Sequence, residues 1–144
     1  MSNKLQEWEK SFRKGILKEI KSSGILFTKE NLDLIVNESS FKVRTKKAPT
    51  FDNCPYVSQG KPCHSNIKNL NCFLCACPNY DSSKLDGGCN VGSKDGKFVF
   101  HDALPLGRIW DCSECSINHS PEEVRNYIEN NFDQLKKQYD NLEV

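Results

Sequence analysis

Eight cysteines and all three histidines fall between positions 54 and 119 of a 144-residue chain. The spacings are Cys54-x8-Cys63-His64, seven residues to Cys72, then Cys72-x2-Cys75-x1-Cys77-Pro78, eleven residues to Cys89, and finally Cys112-x2-Cys115-x3-His119. Two residues between thiolates make a tight knuckle that turns both sulfurs toward one metal, with Zn–S near ~2.3 Å. Two such pairs, four further cysteines and two histidines beside them exceed what one tetrahedral ion can use. Two centres are therefore expected, one anchored by Cys72 and Cys75, the other by Cys112 and Cys115. Spacing alone leaves open how Cys54, Cys63, Cys77 and Cys89 divide between them.

Two chemistries suit this set. Histidines beside the pairs and the knuckle spacing point to structural Zn2+ in one or two sites. Eight thiolates and a Cys-Pro step point to an iron–sulfur cluster of the [4Fe-4S] kind. Zinc is slightly favoured, and Cys72-x2-Cys75-x1-Cys77 is not the bacterial ferredoxin run. Among the histidines, His119 is expected to be a ligand, with helix capping or simple surface exposure as the alternative. His64 serves as ligand or as outer hydrogen-bond donor. His101, in an apolar stretch, reads as a structural histidine.

Catalysis has little support. Asp111 and Glu114 flank the Cys112 pair but read as solvated or bonded to ligand amides. Cys63 and His64 are adjacent and would point apart in extended chain. Gly87-Gly88 is a turn and not a phosphate loop. Trp110 is expected to fill space over the metal site, and Arg108 to contact a partner if it contacts anything.

These ligands need elements to hold them. Leu5, Trp8, Phe12, Ile16 and Ile20 recur every three or four residues, one face of a helix, which Gly24 ends. A second helix is expected from Thr28, whose hydroxyl can cap the first turn, burying Leu32, Ile35 and Val36. Residues 39–50, basic and then proline-bearing (Lys46, Lys47, Pro49), read as a linker. Near the other end, Ser120 is an N-cap, Pro121 suits the first helical position, and Glu122 and Glu123 favour the positive end of the dipole. Val124, Ile128, Phe132, Leu135, Tyr139 and Leu142 continue as one apolar stripe. Both stripes read as core, with partner binding or dimerisation as the alternative. Between Phe51 and Ser120 only Phe98, Val99 and Phe100 with His101 suggest a strand, reached from a Ser93-Lys94-Asp95-Gly96 turn. Such a loop-rich stretch cannot offset its ordering entropy by apolar burial alone. The cysteines are its staples.

Net charge is +1, which argues against a generally basic nucleic-acid binder. Charge is uneven, however. Residues 1–48 hold 11 Lys and Arg against 6 Asp and Glu, residues 49–120 hold 6 against 7, and residues 121–144 hold 3 against 6. The strip Lys42, Arg44, Lys46 and Lys47 reads as solvated linker; its alternative is a phosphate-contacting edge of a zinc nucleic-acid module. A mean hydropathy of -0.64 and the lack of an apolar run near ~18 residues exclude a membrane-spanning helix. Met1 to Glu9 lacks the apolar stretch of a signal peptide. A cytoplasmic location is therefore expected, where thiols stay reduced and clustered cysteines bind metal in preference to pairing as disulfides.

Phe51-x2-Cys54, Pro62-Cys63-His64, Asn71-Cys72-Phe73-Leu74-Cys75-Ala76-Cys77-Pro78-x-Tyr80 and Asp111-Cys112-x2-Cys115-x3-His119 together resemble the cysteine-rich small domain, a family also described as zinc-finger-like. The resemblance spans roughly residues 51–128, and the block from Asn71 to Tyr80 carries most of it. Two departures are visible: Gly87-Gly88-Cys89 stands where the family tends to show Cys-Gly-Gly, and Asn118-His119 where it tends to show Pro-His. The resemblance implies a metal-binding module found largely in anaerobic archaea and bacteria. It also implies one that occurs alone or appended to a cobalamin-assembly enzyme of the threonine-phosphate decarboxylase type. That context favours iron–sulfur and a corrinoid connection.

The expected architecture is a small α+β or irregular metal-stapled cysteine-rich core with flanking helices. Its parts are a helical N-terminal arm (1–48), a metal-binding core (49–120) and a C-terminal helix packing on that core (121–144). The expected function is that of a metal-binding accessory or regulatory module with a protein partner, for which catalysis has little support. An iron–sulfur redox protein or small metalloenzyme is the alternative, and a nucleic-acid-binding zinc module a weaker one. The expected metal ligands are Cys54, Cys63, Cys72, Cys75, Cys77, Cys89, Cys112, Cys115, His119 and His64.

Overall fold

Asn3 starts the first helix with a reciprocal cap. Its side chain accepts from Gln6 N at 2.9 Å, and Gln6 Oε1 accepts from Asn3 N at 3.0 Å, satisfying two otherwise orphaned amides. Helix α1 then runs over Lys4–Ser22 and buries Phe12, Ile16, Leu17 and Ile20. The expected stripe holds from Phe12 onward and fails at Trp8, which is 47% exposed. At that turn Glu9 faces inward instead, accepting from Ser82 Oγ at 2.6 Å. A polar loop, and not the apolar core, lies over the start of α1.

The computed structural model describes residues 3–47, 59, 61, 69–90, 96–111 and 119–143. After α1 comes a short 3-10 turn, Lys29–Asn31, then α2 (Leu32–Glu38) and α3 (Phe41–Lys47). Thr28 stands at the expected start, but its side chain makes no capping bond; the 3-10 turn carries the chain into α2. The expected linker is overturned over 41–47, which form α3. The reason lies in Arg44. It is 2% exposed, and its guanidinium makes a two-pronged pair with Glu19 of α1, Nε to Oε2 and Nη2 to Oε1, each at 2.9 Å. A basic strip read as solvent-facing thus gives up one of its charges to the interior, while Lys42 and Lys46 stay exposed.

Near the C-terminus, Pro121 stands at the start of α4 (Pro121–Asn130) as expected, without a side-chain cap from Ser120. The single helix expected there is two: α5 spans Phe132–Asp140. Asn131 divides them. Its backbone leaves helical geometry (φ -120°, ψ 22°), and its Nδ2 donates to Tyr127 O at 2.9 Å, so the side chain satisfies a carbonyl at the end of α4. The apolar spacing survives the break, with Val124, Ile128, Leu135 and Tyr139 all buried.

These helices share one apolar cluster. Residues of α1, Phe27, Leu32 and Ile35 of α2, and the buried residues of α4 and α5 meet there, joined by Phe73, Leu74 and Ala76 from the cysteine-bearing loop. Phe27 packs on Phe132 and Tyr139 with ring centroids 5.2 and 5.4 Å apart. Among the described residues, no helix is long and apolar enough to cross a membrane.

The expected strand is present as β1 (Lys97–Phe100). Its antiparallel partner β2 (Arg108–Asp111), which the sequence reading missed, pairs Phe98 with Trp110 and Phe100 with Arg108. The ribbon is not buried: Phe100 is 98% exposed. The fold is therefore a small α+β arrangement, five α-helices and a two-stranded ribbon among the described residues, with helices at both ends of the cysteine-rich segment.

Candidate metal centre

Cys72 and Cys75 sit on a turn closed by Cys75 N donating to Cys72 O at 3.2 Å, the tight knuckle that their spacing predicts. The segment before them is fixed from three directions, and Asn71 is where they meet. Its backbone forms an antiparallel bridge with Ser40, extended by Phe41 N to Leu70 O at 2.9 Å and Cys72 N to Ser39 O at 2.8 Å. Its Nδ2 donates to Val36 O at 2.7 Å, and its Oδ1 accepts from Phe73 N at 2.9 Å. Its own N donates to His119 O at 2.9 Å. Asn71 is 1% exposed, so each of these bonds replaces water that cannot reach it.

His119 is brought to this knuckle from the residue before the α4 cap, and it is buried. That excludes the surface alternative. Its Nδ1 lies 3.8 Å from Cys75 Sγ. The same Nδ1 lies 2.9 Å from Asn71 O. A carbonyl only accepts, so Nδ1 carries the proton and the ring's lone pair belongs to Nε2. A metal-binding histidine with its other N–H given to a backbone carbonyl has this arrangement. Toward Cys75 the ring offers an N–H to the sulfur.

Charge completes the picture. Cys72 is 2% exposed. The neighbouring Cys75 side chain and the positive charge of Arg44 lower its pKa from 9.0 to about 7, against the upward push of burial. Burial opposes the charge on Arg44 as well, but Glu19 and Cys72 outweigh it and raise its pKa. The Cys72 sulfur thus loses its proton more readily than an ordinary thiol, and the thiolate is the form that binds metal. Two soft sulfur donors with an imidazole against one of them fit a thiolate-bound metal ion. Among the described residues, no group of three or more His, Cys, Asp and Glu side chains forms a complete cage. Cys54, Cys63, His64, Cys112 and Cys115 lie outside the described residues, as does Glu114.

Cys77 and Cys89 belong to the loop that follows. Tyr80 and Cys89 form an antiparallel bridge, flanked by Asp81 N to Gly88 O at 2.8 Å and Asn90 N to Asn79 O at 2.7 Å. Gly87 makes the turn, with φ at +77° and with Tyr80 Oη only 2.2 Å from where a Cβ would stand, so no other residue fits without displacing the ring. That Tyr80 hydroxyl donates to Trp110 O at 2.6 Å, and Trp110 N donates to Asp86 O at 2.8 Å. The loop is thereby tied to the ribbon. Trp110 packs edge-on to Phe98, ring centroids 5.0 Å apart, and against Gly96, where a Cβ would fall 2.2 Å from its ring. Arg108 pairs with Asp86 at 2.8 Å and lies over Phe98 at 4.1 Å. His101 is hydrogen-bonded, its Nδ1 accepting from Ala103 N at 2.9 Å, but it is exposed and belongs to no core.

Sequence reasoning singled out Cys72, Cys75 and His119, which lie together in the structure. It missed Asn71, Arg44 and Glu19. Asn71 carried no chemical signal of its own, and Arg44 sat in a run of cations that reads as solvated.

No curated protein and no solved structure matches this chain. A family model described as cysteine-rich small domain matches residues 45–142, more than half of the chain and all of the knuckle, loop and ribbon. The chain belongs to the cysteine-rich small domain family.

Proposed function

We propose that this protein is a metal-binding accessory or regulatory module. Its first centre is anchored by Cys72 and Cys75, and its remaining ligands come from the other cysteines. The observation that carries the reading is the convergence of the Cys72–Cys75 knuckle, Arg44 and a buried His119 whose Nδ1 proton is fixed by Asn71. Zinc is the favoured ion, because an imidazole beside a thiolate pair suits it and needs no redox partner. Bound there, the metal would cross-link the knuckle to the stretch before α4, and His119 would support the Cys75 sulfur. Cys77 and Cys89, on the next loop, are candidates for the same or a second centre. The metal-stapled surface would then serve a protein partner, with the corrinoid connection suggested by the family as the first place to look.

The test is metal and acid-labile sulfide content of protein purified without oxygen, with a visible spectrum. One or two zinc per chain without sulfide or colour is the expected result. Iron with matching sulfide and a reducible chromophore replaces this reading by the iron–sulfur one. Cys72→Ser should lose the metal and melt at a lower temperature, since metal affinity in such small domains is folding energy. A Cys72→Ser protein that is metal-free yet melts cooperatively at the wild-type temperature overturns the structural role.

A further inference from the structure

The ribbon's two outer edges differ. In an antiparallel pair, alternate residues turn both backbone groups toward the partner strand, and the residues between them turn theirs away. His101 N donates to Gly107 O at 3.0 Å, which continues the register of β1 on β2 and sets the phase: Val99 faces β2, while Phe98 and Phe100 face outward. On β2 the outward residue is Trp110, and both its backbone groups are taken. Its N donates to Asp86 O at 2.8 Å, and its O accepts from the Tyr80 hydroxyl at 2.6 Å. On β1 the outward N–H and C=O groups of Phe98 and Phe100 meet no partner among the described residues. That edge is also apolar. Phe98 is 46% exposed and Phe100 98%, and Arg108, opposite Phe100 in the register, is drawn away to Asp86 and the Phe98 ring. An edge in this state pairs with another strand unless a charge, a proline or a bulge blunts it. Lys97 and Asp102, both exposed, stand at its two ends and leave the run between them uninterrupted.

We propose that β1 is a docking edge for a second copy of this chain, the two β1 strands pairing antiparallel across a two-fold axis into one four-stranded sheet. The outward residues fix the register. Phe98 of each copy lies opposite Phe100 of the other, each pair exchanging two backbone hydrogen bonds, with Val99 opposite itself on the axis. The same register sets the Phe98 and Phe100 rings side by side across the seam on one face, where cross-strand aromatic pairs add to stability. Charge selects the orientation. Antiparallel copies bring Lys97 of each beside the strand end that carries Asp102 of the other, whereas parallel copies would set like charge against like. A two-stranded ribbon is marginal by itself, and a sheet of four strands is not. The contact is isologous and closes on itself, giving a dimer and no fibre. Its area is small, so the dimer forms as concentration rises and is absent from dilute solution.

The experiment is sedimentation velocity on the full chain, from micromolar to millimolar concentration, with a thiol reductant present to exclude disulfide-linked dimers. The mass is expected to rise from that of one 16.4 kDa chain toward twice that value. Phe100→Pro deletes one outward N–H and one ring while touching no bond to β2. It should stay monomeric throughout and keep the near-ultraviolet signal of Trp110. Should proline unsettle the ribbon, Phe100→Ala removes the ring alone and should weaken association about tenfold. Lys97→Asp should weaken it by about tenfold as well, and Lys97→Asp combined with Asp102→Lys should restore the wild-type profile, which a mere folding defect would not allow. A wild-type chain that is monomeric at every concentration overturns the proposal and leaves the edge to an extended segment of a different protein. A dimer that Phe100→Pro and Lys97→Asp leave unchanged lies on another surface and overturns it equally.

Discussion

The helical part and the cysteine-rich part of this molecule are held by different means. In the first, four helices and Phe27 close over one another, and Ile20, Ile35, Val124 and Ile128 are 0% exposed. Each such side chain contributes roughly 1.5–3 kcal/mol by leaving water. In the second, the described residues between 76 and 111 bury little apolar surface. Ala76 and Leu104 are buried, with Ser82 and Gly87, but Leu85, Phe100 and Leu106 are more than half exposed. What holds the described part of that stretch is a ladder of backbone bonds around Tyr80 and Cys89, two left-handed glycines, Gly87 and Gly107, and a tryptophan against Gly96. Such bonds net about 1 kcal/mol each at best, too little to order a loop of this length. Burial can be read as self-sufficient in one part, and a cross-link is called for in the other. Between them stands the stretch 71–76, which offers Phe73, Leu74 and Ala76 to the apolar cluster and Cys72 and Cys75 to a metal.

The largest effect should come from taking the metal away. A strong chelator is expected to abolish the near-ultraviolet signal of Trp110 and its neighbours while most of the helical far-ultraviolet signal remains. If both signals collapse together, the two parts fold as one and the contrast is wrong. Next, Ile128→Ala removes a wholly buried side chain from the helical cluster and should cost about 2–5 kcal/mol in a urea melt followed by helicity, with metal content per folded chain unchanged. Loss of metal at equal folding would show the centre leaning on α4 more than this division allows.

A smaller effect should follow pH in the metal-free protein. The Cys72 pKa is about 7 when folded against an ordinary 9.0. Below pH 7 the thiol is protonated in both states and contributes nothing. Between pH 7 and pH 9 the unfolded chain holds a proton that the folded chain has released, so stability rises, by no more than about 1.4 kcal/mol per pH unit. Above pH 9 the gain is complete. Thermal melts across this range, with Cys72→Ser as the flat control, check it; an equal slope in the control removes Cys72 as the cause. The smallest effect is expected at the ribbon. Phe100→Ser, at a side chain 98% exposed, should change stability by less than about 0.5 kcal/mol, and a larger loss in a denaturant melt would mean that the ribbon's outer face is covered in solution.

Legibility in the sequence follows the same division. Periodicity located α1, α2 and the C-terminal stripe because those residues bury one face, and burial is what repeats every three or four positions. It went wrong where a polar contact overrode the pattern: at Trp8, displaced by the inward Glu9; at Asn131, whose side chain ends a helix inside an unbroken stripe; and over 41–47, where Arg44 is drawn inward by Glu19 from a different helix. No local pattern announces a partner 25 residues away. In the cysteine-rich part the reverse held. Secondary structure there was hardly legible, and β2 went unseen, but spacing, which coordination chemistry restricts tightly, singled out Cys72, Cys75 and His119, and these lie together.

The position of Asn71 also bears on the order of events at the ribosome. It receives its neighbours from Val36 behind it and from His119 far ahead. A chain emerging from its N-terminus can lay the arm against the Cys72 knuckle early. The bonds from His119 cannot form until that residue has cleared the exit tunnel. Until then the knuckle is an open pair of thiols, and a metal captured at that stage would be held by an incomplete set of ligands. Arrival of the last helices would close the centre, so the quality of metal loading becomes a question of timing as much as of affinity.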